Sequence, residues 1–570
     1  MTSALVELRV LEGPNLYFPR PAVKLTLDLT PLVEAPVEVA RRLAARTGLR
    51  SARPGAPGSG FRQRFAVRAV ERLVRQVARE SGTVRLGVRV RPTSDVHRVV
   101  VAYPWRHRGR AEALGLAVAA VLDELGRPAD APDGGPDPDT VLDRAAAAVR
   151  EAEPGPGPTT LRPRVPVVAV TGTNGKTTTS RMVAHIARTA GLHVGWSSTD
   201  GIYVDGELVE PGDYSGPSGA GRVLAHRQVQ LAVTETARGG ILLKGVGVAW
   251  NNVSVFTNVS ADHLGLHGID TLDQLAEVKG VVCRITRPDG WAVLNGDDPR
   301  VMATRALVRA RPWVFSRDPD SPAVRESLSG GGRATTVIDG WIAVLAPGTD
   351  PDPLVEVADV PMTLAGLSRF NVENALAAAS AALGVGLPRQ AVVDGLTSFR
   401  PDPAHNPGRM NFFSGSDHSV VVDLAHNEAG LEALLEIMNG VRRPGARLLL
   451  ALGAVGDRQD GLVASLGEVG ARDADVVVVA HKERYLRGRT TEELDELFRA
   501  GAARVGVPEL VSHPTEVAGL AALVEQAEPG DVVALMCHED RQGVYDWLAE
   551  HGFVTDTPET LREKVRTARA

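Results

Sequence analysis

"VVAVTGTNGKTTTSRMVAHIARTAG" (residues 167–191) carries the strongest structural signal in the chain. An apolar run meets a Gly-rich turn holding a lysine and several hydroxyls, and a helix-like stretch follows at once. The backbone N–H groups of such a turn, with the positive end of the following helix, wrap a polyphosphate. Lys176 is then the residue that reaches the β- and γ-phosphates, and Thr177 puts a hydroxyl on Mg2+. The usual phosphate loop has a glycine five places before its second glycine; here that position is Val170. The loop is the shorter Gly172-Thr173-Asn174-Gly175-Lys176-Thr177, with Thr178 next. A chance Gly-x-Gly-Lys at a strand–helix corner is the plain alternative, and the strand before, the helix after and the run of threonines weigh against it.

A motor or kinase would next need an apolar strand ending in Asp. Instead "LAVTETARGG" (231–240) closes a strand on Glu235, and "VSVFTNVSADHLGLHG" (253–268) closes another on Asn258, just before Asp262 and His263. The helical "LDQLAEVKG" (272–280) then presents Lys279. Ligands bind open α/β sheets at the C-terminal ends of their strands, so these residues can line one edge. Singly, Glu235 or His263 reads as a surface cap; together, after a phosphate loop, they read as a magnesium site with Thr177.

The 570 residues imply about three or four domains at roughly 150 residues each. With 44% hydrophobic and 23% charged residues, the composition is that of a folded soluble protein. A net charge of −6 offers no electrostatic case for nucleic acid or an anionic membrane. The apolar run at 113–122 is short of the ~20 residues of a membrane span, and "MTSALVELRV" lacks the pattern of a secretory signal. The two cysteines, Cys283 and Cys537, read as buried thiols in a reducing cytosol, so the expected location is cytoplasmic. Lysine occurs only at 24, 176, 244, 279, 482 and 564, arginine having taken the generic cation roles. Each lysine is therefore suspected of using chemistry that arginine lacks, such as loss of its proton.

Strand-like runs (5–11, 22–29, 84–91, 97–103) mixed with helical ones (35–47, 62–81, 109–125) predict a small α+β domain over 1–125. The Pro/Gly-rich stretches at 126–140 and 151–166 flank a short helix-like segment, and 126–165 reads as a linker. From Pro166 apolar strands alternate with amphipathic helices, and a second such set begins near 418, so two mainly parallel sheets are expected. Clustered prolines in "SFRPDPAHNPGR" (398–409) mark the break, giving domains at 166–405 and 406–570.

The short loop GTNGKT, with Glu235, His263 and Lys279 in order behind it, resembles the Mur ligase superfamily, whose members form peptide bonds without a ribosome. The resemblance implies an α/β fold, with a P-loop central domain and a Rossmann-like C-terminal domain after the small α+β one. It implies Mg2+ on Glu235 and His263, and a carbamate made from CO2 on Lys279. By the same resemblance "GLSRFNVENALAAASAA" (366–382) offers Asn371 and Asn374 to adenine, although helix capping would also suit both. "NPGRM" offers Arg409 to a phosphate, and "VVVDLAHNEAGLEALL" (420–435) offers Asp423 to the ribose and His426-Asn427 to the phosphates. Polar loops at 453–460 and 481–489 fall where the family binds its amino acid; Asp457, Glu483 and Asp540 suit a guanidinium, and Arg458, Arg484 and Arg487 an α-carboxylate.

Within the superfamily the chain most resembles the cyanophycin synthetases, through "STDGIYVDGELVEPGDYSGPSGA", "TETARGGIL", "DHLGLHGIDTLDQL", "YLRGRT" and the opening "RVLEGPNLYF". Those enzymes carry an ATP-grasp domain where this chain has its Pro-rich linker. Their ATP-grasp half extends a polyaspartate backbone, and their Mur-like half attaches arginine to the aspartate side chains. The resemblance thus implies an ATP-dependent acid–amino-acid ligase acting through an acyl-phosphate. Its substrates would be a peptide or polyaspartate-like acceptor and a free amino acid such as arginine, and a separate ATP-grasp ligase is a conceivable partner. Open alternatives are a folylpolyglutamate- or muropeptide-type ligase, or a non-catalytic nucleotide-binding partner; a homo-oligomer is also left open.

Overall fold

The structure, a computed structural model, describes residues 4–46, 49, 53–125, 137–262, 264–456 and 458–569. Three sheets organise it. The first is antiparallel, in the order Leu5–Leu11, Ala22–Asp28, Arg98–Pro104, Arg89–Pro92. Helices Gly60–Glu80 and Arg108–Leu125 bury their apolar faces against it. The apolar run at 113–122 is thus part of a core helix, and among the described residues no helix is long and apolar enough to cross a membrane.

Two expectations change here. The strand expected at 84–91 forms only over Arg89–Pro92, after an irregular, mostly exposed approach. The expected linker contains a fourteen-residue helix, Pro138–Glu151, begun by an Asp137 cap and a proline in its first turn. Its Val141, Leu142, Ala145 and Val149 join the N-terminal core. Their spacing makes one helical face, and burying it ties the segment to the domain before it. Residues 126–136 lie outside the described residues.

The central sheet has eleven strands. Seven run parallel, in the order Arg333–Ile338, Arg311–Phe315, Thr286–Asn295, Asn251–Phe256, Val167–Thr171, Leu231–Glu235, Val194–Ser197, and antiparallel strands finish both edges. The continuous apolar runs of the sequence belong to this parallel core, because helices cover both faces. Val167–Thr171 pairs with Asn251–Phe256 on one side and Leu231–Glu235 on the other, so the segments after all three open at one edge. The C-terminal sheet has five parallel strands, Val511–His513, Val476–Ala480, Leu448–Leu452, Val532–Met536 and Ser419–Asp423, with two antiparallel strands beyond.

The "EGPN" stretch joins the N-terminal domain to the central one. Asn15 is 2% exposed. Its amide donates to the carbonyls of Gly13 and Arg20 at 2.9 Å, and its oxygen accepts from the N–H groups of Tyr17 and Phe18 at 3.0 Å. The loop so held buries Leu11, Leu16, Tyr17 and Phe18 among central-domain residues such as Ile241, Val246 and Val248. The approach is so close that a Cβ on Gly13 would stand 1.8 Å from the Val246 carbonyl oxygen. Arg91 adds a two-pronged pair to Glu277 at 2.8 and 3.0 Å.

Asn15→Ala strands three buried backbone groups, on Gly13, Tyr17 and Phe18, each worth about 1–3 kcal/mol when unmet, and frees the part-buried Arg20 carbonyl. The expected outcome is a loss of at least about 2 kcal/mol in denaturant unfolding. Calorimetry should show the N-terminal domain melting ahead of the rest; an unchanged single transition would contradict this account of the docking.

Candidate active site

The phosphate loop is shaped by two glycines. Gly172 has φ +149° and Gly175 φ +83°. A Cβ at Gly172 would meet the Thr257 hydroxyl at 1.8 Å, and one at Gly175 would meet the Asn374 side-chain oxygen at 2.2 Å. Thr257 donates to the Asn174 carbonyl at 2.6 Å, while Asn258 brackets Asn174, accepting from its N–H at 2.9 Å and donating to its carbonyl at 3.2 Å. Asn258 therefore shapes the loop from the neighbouring strand. Helix Lys176–Thr189 starts at Gly175 with no side-chain cap, leaving its first N–H groups for an anion. Lys176 folds back to the Thr173 carbonyl at 2.8 Å.

Glu235 and Thr177 meet beside this turn. The Thr177 hydroxyl donates to Glu235 Oε2 at 2.9 Å, whereas Oε1 is buried without a hydrogen-bond partner among the described residues. Glu235 is 1% exposed, and burial raises its pKa against the opposing pull of Lys176 and Thr177. A buried carboxylate with an orphaned oxygen is costly, and a divalent cation satisfies it with the kind of oxygen ligands it prefers. The residues fit Mg2+ in that respect. Among the described residues no three His, Cys, Asp or Glu side chains gather as a metal cluster. His263, the other expected ligand, lies outside the described residues.

Lys279 ends helix Leu272–Lys279, and its Nζ donates to the Gly172 carbonyl at 2.5 Å. Only 4% exposed, its amine is held well below the usual lysine range, by burial first and Lys176 next. Asn371 and Asn374 sit in the first turns of helix Arg369–Gly384, whose cap is Ser368, so neither caps it. They bond to each other at 3.0 Å, and Asn374 also accepts from Thr179 at 3.2 Å.

The C-terminal domain supplies the facing wall. One cavity is bounded by loop residues 173–178, by Asn371 and Asn374, and by Arg409, Asp423 and His426. Asp423 accepts from the Met410 N–H at 2.9 Å; burial pushes its pKa up, with Arg409 opposing. Burial also brings His426 down to about 4, leaving a neutral ring whose Nδ1 lies 3.0 Å from the Leu424 carbonyl. Asn427 caps helix Glu428–Val441 and shares an amide contact with Asn174, at 3.1 Å, across the domain boundary.

Two carboxylates lie at this boundary: Asp200, overlooked in the sequence, and Asp262, read there only as a residue of the sheet edge. Asp200, in the turn after Val194–Ser197, takes Arg181 at 2.6 Å and, from the C-terminal domain, Arg541. Arg181 also reaches Asn406 in the connecting segment at 3.1 Å. Asp262 takes Arg458, which is 5% exposed. Arg458 is therefore drawn into the domain junction rather than left open for an α-carboxylate. The other amine-pocket expectations divide: Arg484 pairs with Glu539 at 3.4 Å, Asp540 caps helix Arg541–Glu550, and Glu483 and Arg487 are exposed. Asp457 lies outside the described residues. The one available signal for Asp200 was its place just after a parallel strand, as for Glu235.

Residues 170–382 match the Mur ligase middle domain, and 408–538 the Mur ligase glutamate ligase domain. Cyanophycin synthetase of Crocosphaera subtropica is 42% identical over 338 residues, 59% of this chain but 38% of that one, so the match spans well under half of that relative. UDP-N-acetylmuramyl-tripeptide synthetase of Deinococcus radiodurans is 32% identical over 384 residues, 65% of this chain and 72% of that one. Among solved structures, E. coli FolC in complex with DHPP and ADP shares the fold, with a TM-score of 0.50 and 21% identity over 68% of this chain and 90% of that one. The chain belongs to the Mur ligase superfamily of ATP-dependent, amide-bond-forming ligases, and it carries that superfamily's middle and glutamate ligase domains.

Proposed function

We propose that this ligase joins a free amino acid, arginine first among them, to a carboxylate of a peptide or polyaspartate-like acceptor. The observation that carries the ligase chemistry is the meeting of Lys176, the Thr177–Glu235 pair and Lys279 at one sheet edge, opposite Arg409 and His426. The likeness to cyanophycin synthetases favours arginine and an aspartate acceptor. A separate ATP-grasp ligase would then supply the acceptor backbone.

A carboxylate and an ammonium do not condense at neutral pH, so the carboxylate is activated first. ATP lies along the loop, with Asn371 and Asn374 toward the base and Asp423 toward the ribose. Lys176 and Arg409 offset charge on the transferring γ-phosphoryl group as it passes to a carboxylate oxygen. Glu235, Thr177 and His263 would hold Mg2+, whose contribution when bound is further offset of phosphate charge. Lys279, whose amine burial makes easier to deprotonate, is of the kind that takes up CO2, and a carbamate there would add an anionic group near Glu235. The acyl-phosphate is then attacked by the amine to give an amide, ADP and phosphate.

That intermediate hydrolyses readily, so water must be kept out. The contacts of Arg541 with Asp200, Arg458 with Asp262 and Asn427 with Asn174 hold the C-terminal domain over the loop. The segment around 400–409 is the proposed hinge.

Phosphate release from Mg·ATP, assayed with an oligoaspartate acceptor across single amino acids, should rise with arginine and vanish in Lys176→Ala. Release that needs no amine would contradict a ligase. Lys279→Arg cannot form a carbamate; it should cost at least about 100-fold in kcat, and depleting bicarbonate should slow the native enzyme reversibly. Asp200→Asn should leave the free protein less compact in small-angle scattering and raise hydrolysis relative to amide formation. Unchanged compaction and coupling would remove Asp200 from closure.

A further inference from the structure

His538 stands out at the domain junction. Both ring nitrogens are shut off from solvent, yet neither has a hydrogen-bond partner among the described residues. The turn that carries it is held firmly. Glu516, 2% exposed, accepts from the backbone N–H groups of His538, Glu539 and Asp540 at 2.5, 3.0 and 2.9 Å. Behind Glu516 lies the fully buried Lys482, 3.3 Å away, which also donates to the Met536 carbonyl at 2.8 Å. A buried ion pair gripping three successive backbone amides fixes the ring's position while satisfying neither of its nitrogens. So placed, the ring stands directly behind a wall of the cavity: its centroid is 6.4 Å from that of His426, which lines it, with the planes nearly perpendicular.

We infer that His538 is the base that takes a proton from the incoming amine, an assignment that rests on the ligase reading above. Lys482, His426, Arg409 and Arg458, from four separate segments, are near enough to repel a proton from it; with burial foremost, they hold the ring well below the usual histidine range and therefore neutral. Neutrality is what a proton acceptor needs, and a phosphate-bearing substrate beside Arg409 raises its basicity. The incoming ammonium gives one proton to a ring nitrogen, leaving a lone pair. That pair forms the C–N bond at the acyl-phosphate carbon, and the C–O bond breaks with its electrons going to phosphate. The second nitrogen proton leaves with the phosphate, and the imidazolium gives up the first to solvent when the domains part to release product.

Hydroxylamine tests this directly, because it is already largely deprotonated at neutral pH and reports acyl-phosphate formation as a hydroxamate. The full-length protein is assayed with Mg·ATP and an oligoaspartate acceptor, with arginine or hydroxylamine as nucleophile. In His538→Gln, kcat for amide formation should fall about 100-fold, KM for arginine should change little, and hydroxamate formation should stay within a few-fold of the native rate. The smaller His538→Asn should behave alike, and the hydroxamate signal itself certifies a folded site. Amide formation near the native rate, or equal loss with both nucleophiles, overturns the assignment. A native protein that forms neither product removes the ligase reading, and this role with it.

Discussion

The active edge depends on a turn that only glycine makes without strain. Gly172 and Gly175 have positive φ, and each lies against a side chain from another element, Thr257 and Asn374. Those neighbours leave no room for a Cβ, so the backbone path is set by its surroundings as well as by its own freedom. The path leaves the N-terminal amides of helix Lys176–Thr189 uncapped, and it puts the Gly172 carbonyl where Lys279 reaches it. Loop, Thr177–Glu235 pair and buried Lys279 are therefore arranged around one backbone excursion between a strand and the helix that follows it.

The second constraint is electrostatic and lies between domains. Asp200 and Asp262 project from the central domain, and each receives an arginine from the C-terminal one. Buried ion pairs add little net stability, since desolvation offsets much of their attraction. Here their effect is geometric: they seat Arg409, His426 and Asn427 opposite the loop. The proposed acyl-phosphate route would need such seating more than extra stability. Domain contacts that carry charge also separate more readily than an apolar interface would, which suits a site that must open for substrates.

Much was legible from local pattern. The loop, the strand ending at Glu235, the strand that stops at Phe256 just before Asn258, and both parallel sheets could be read because apolar runs and glycine spacing report local chain geometry. The helix Pro138–Glu151 was seen as helix-like but placed in a linker, because flanking prolines and glycines dominate the composition while its apolar face is only a few residues wide. The amine pocket was least legible. Arg458 and Asp540 have the right chemistry for substrate but are engaged by Asp262 and by a helix end, and a sequence does not record which charges already have partners.

The sequence by itself determined the phosphate loop, the order of strands and helices around it, and the residue types a nucleotide and a metal require. These rest on interactions within a few residues, or on periodicity that one segment carries alone. Tertiary structure alone decided the pairing of Asp200 with two arginines, the burial that lowers the pKa of Lys279 and His426, and, among the described residues, the orphaned oxygen of Glu235 and the unpartnered ring of His538. Each depends on groups tens to hundreds of residues apart and on how much water the packed domains leave around them. Burial and pairing are properties of the assembled surface, and no single stretch of chain encodes them.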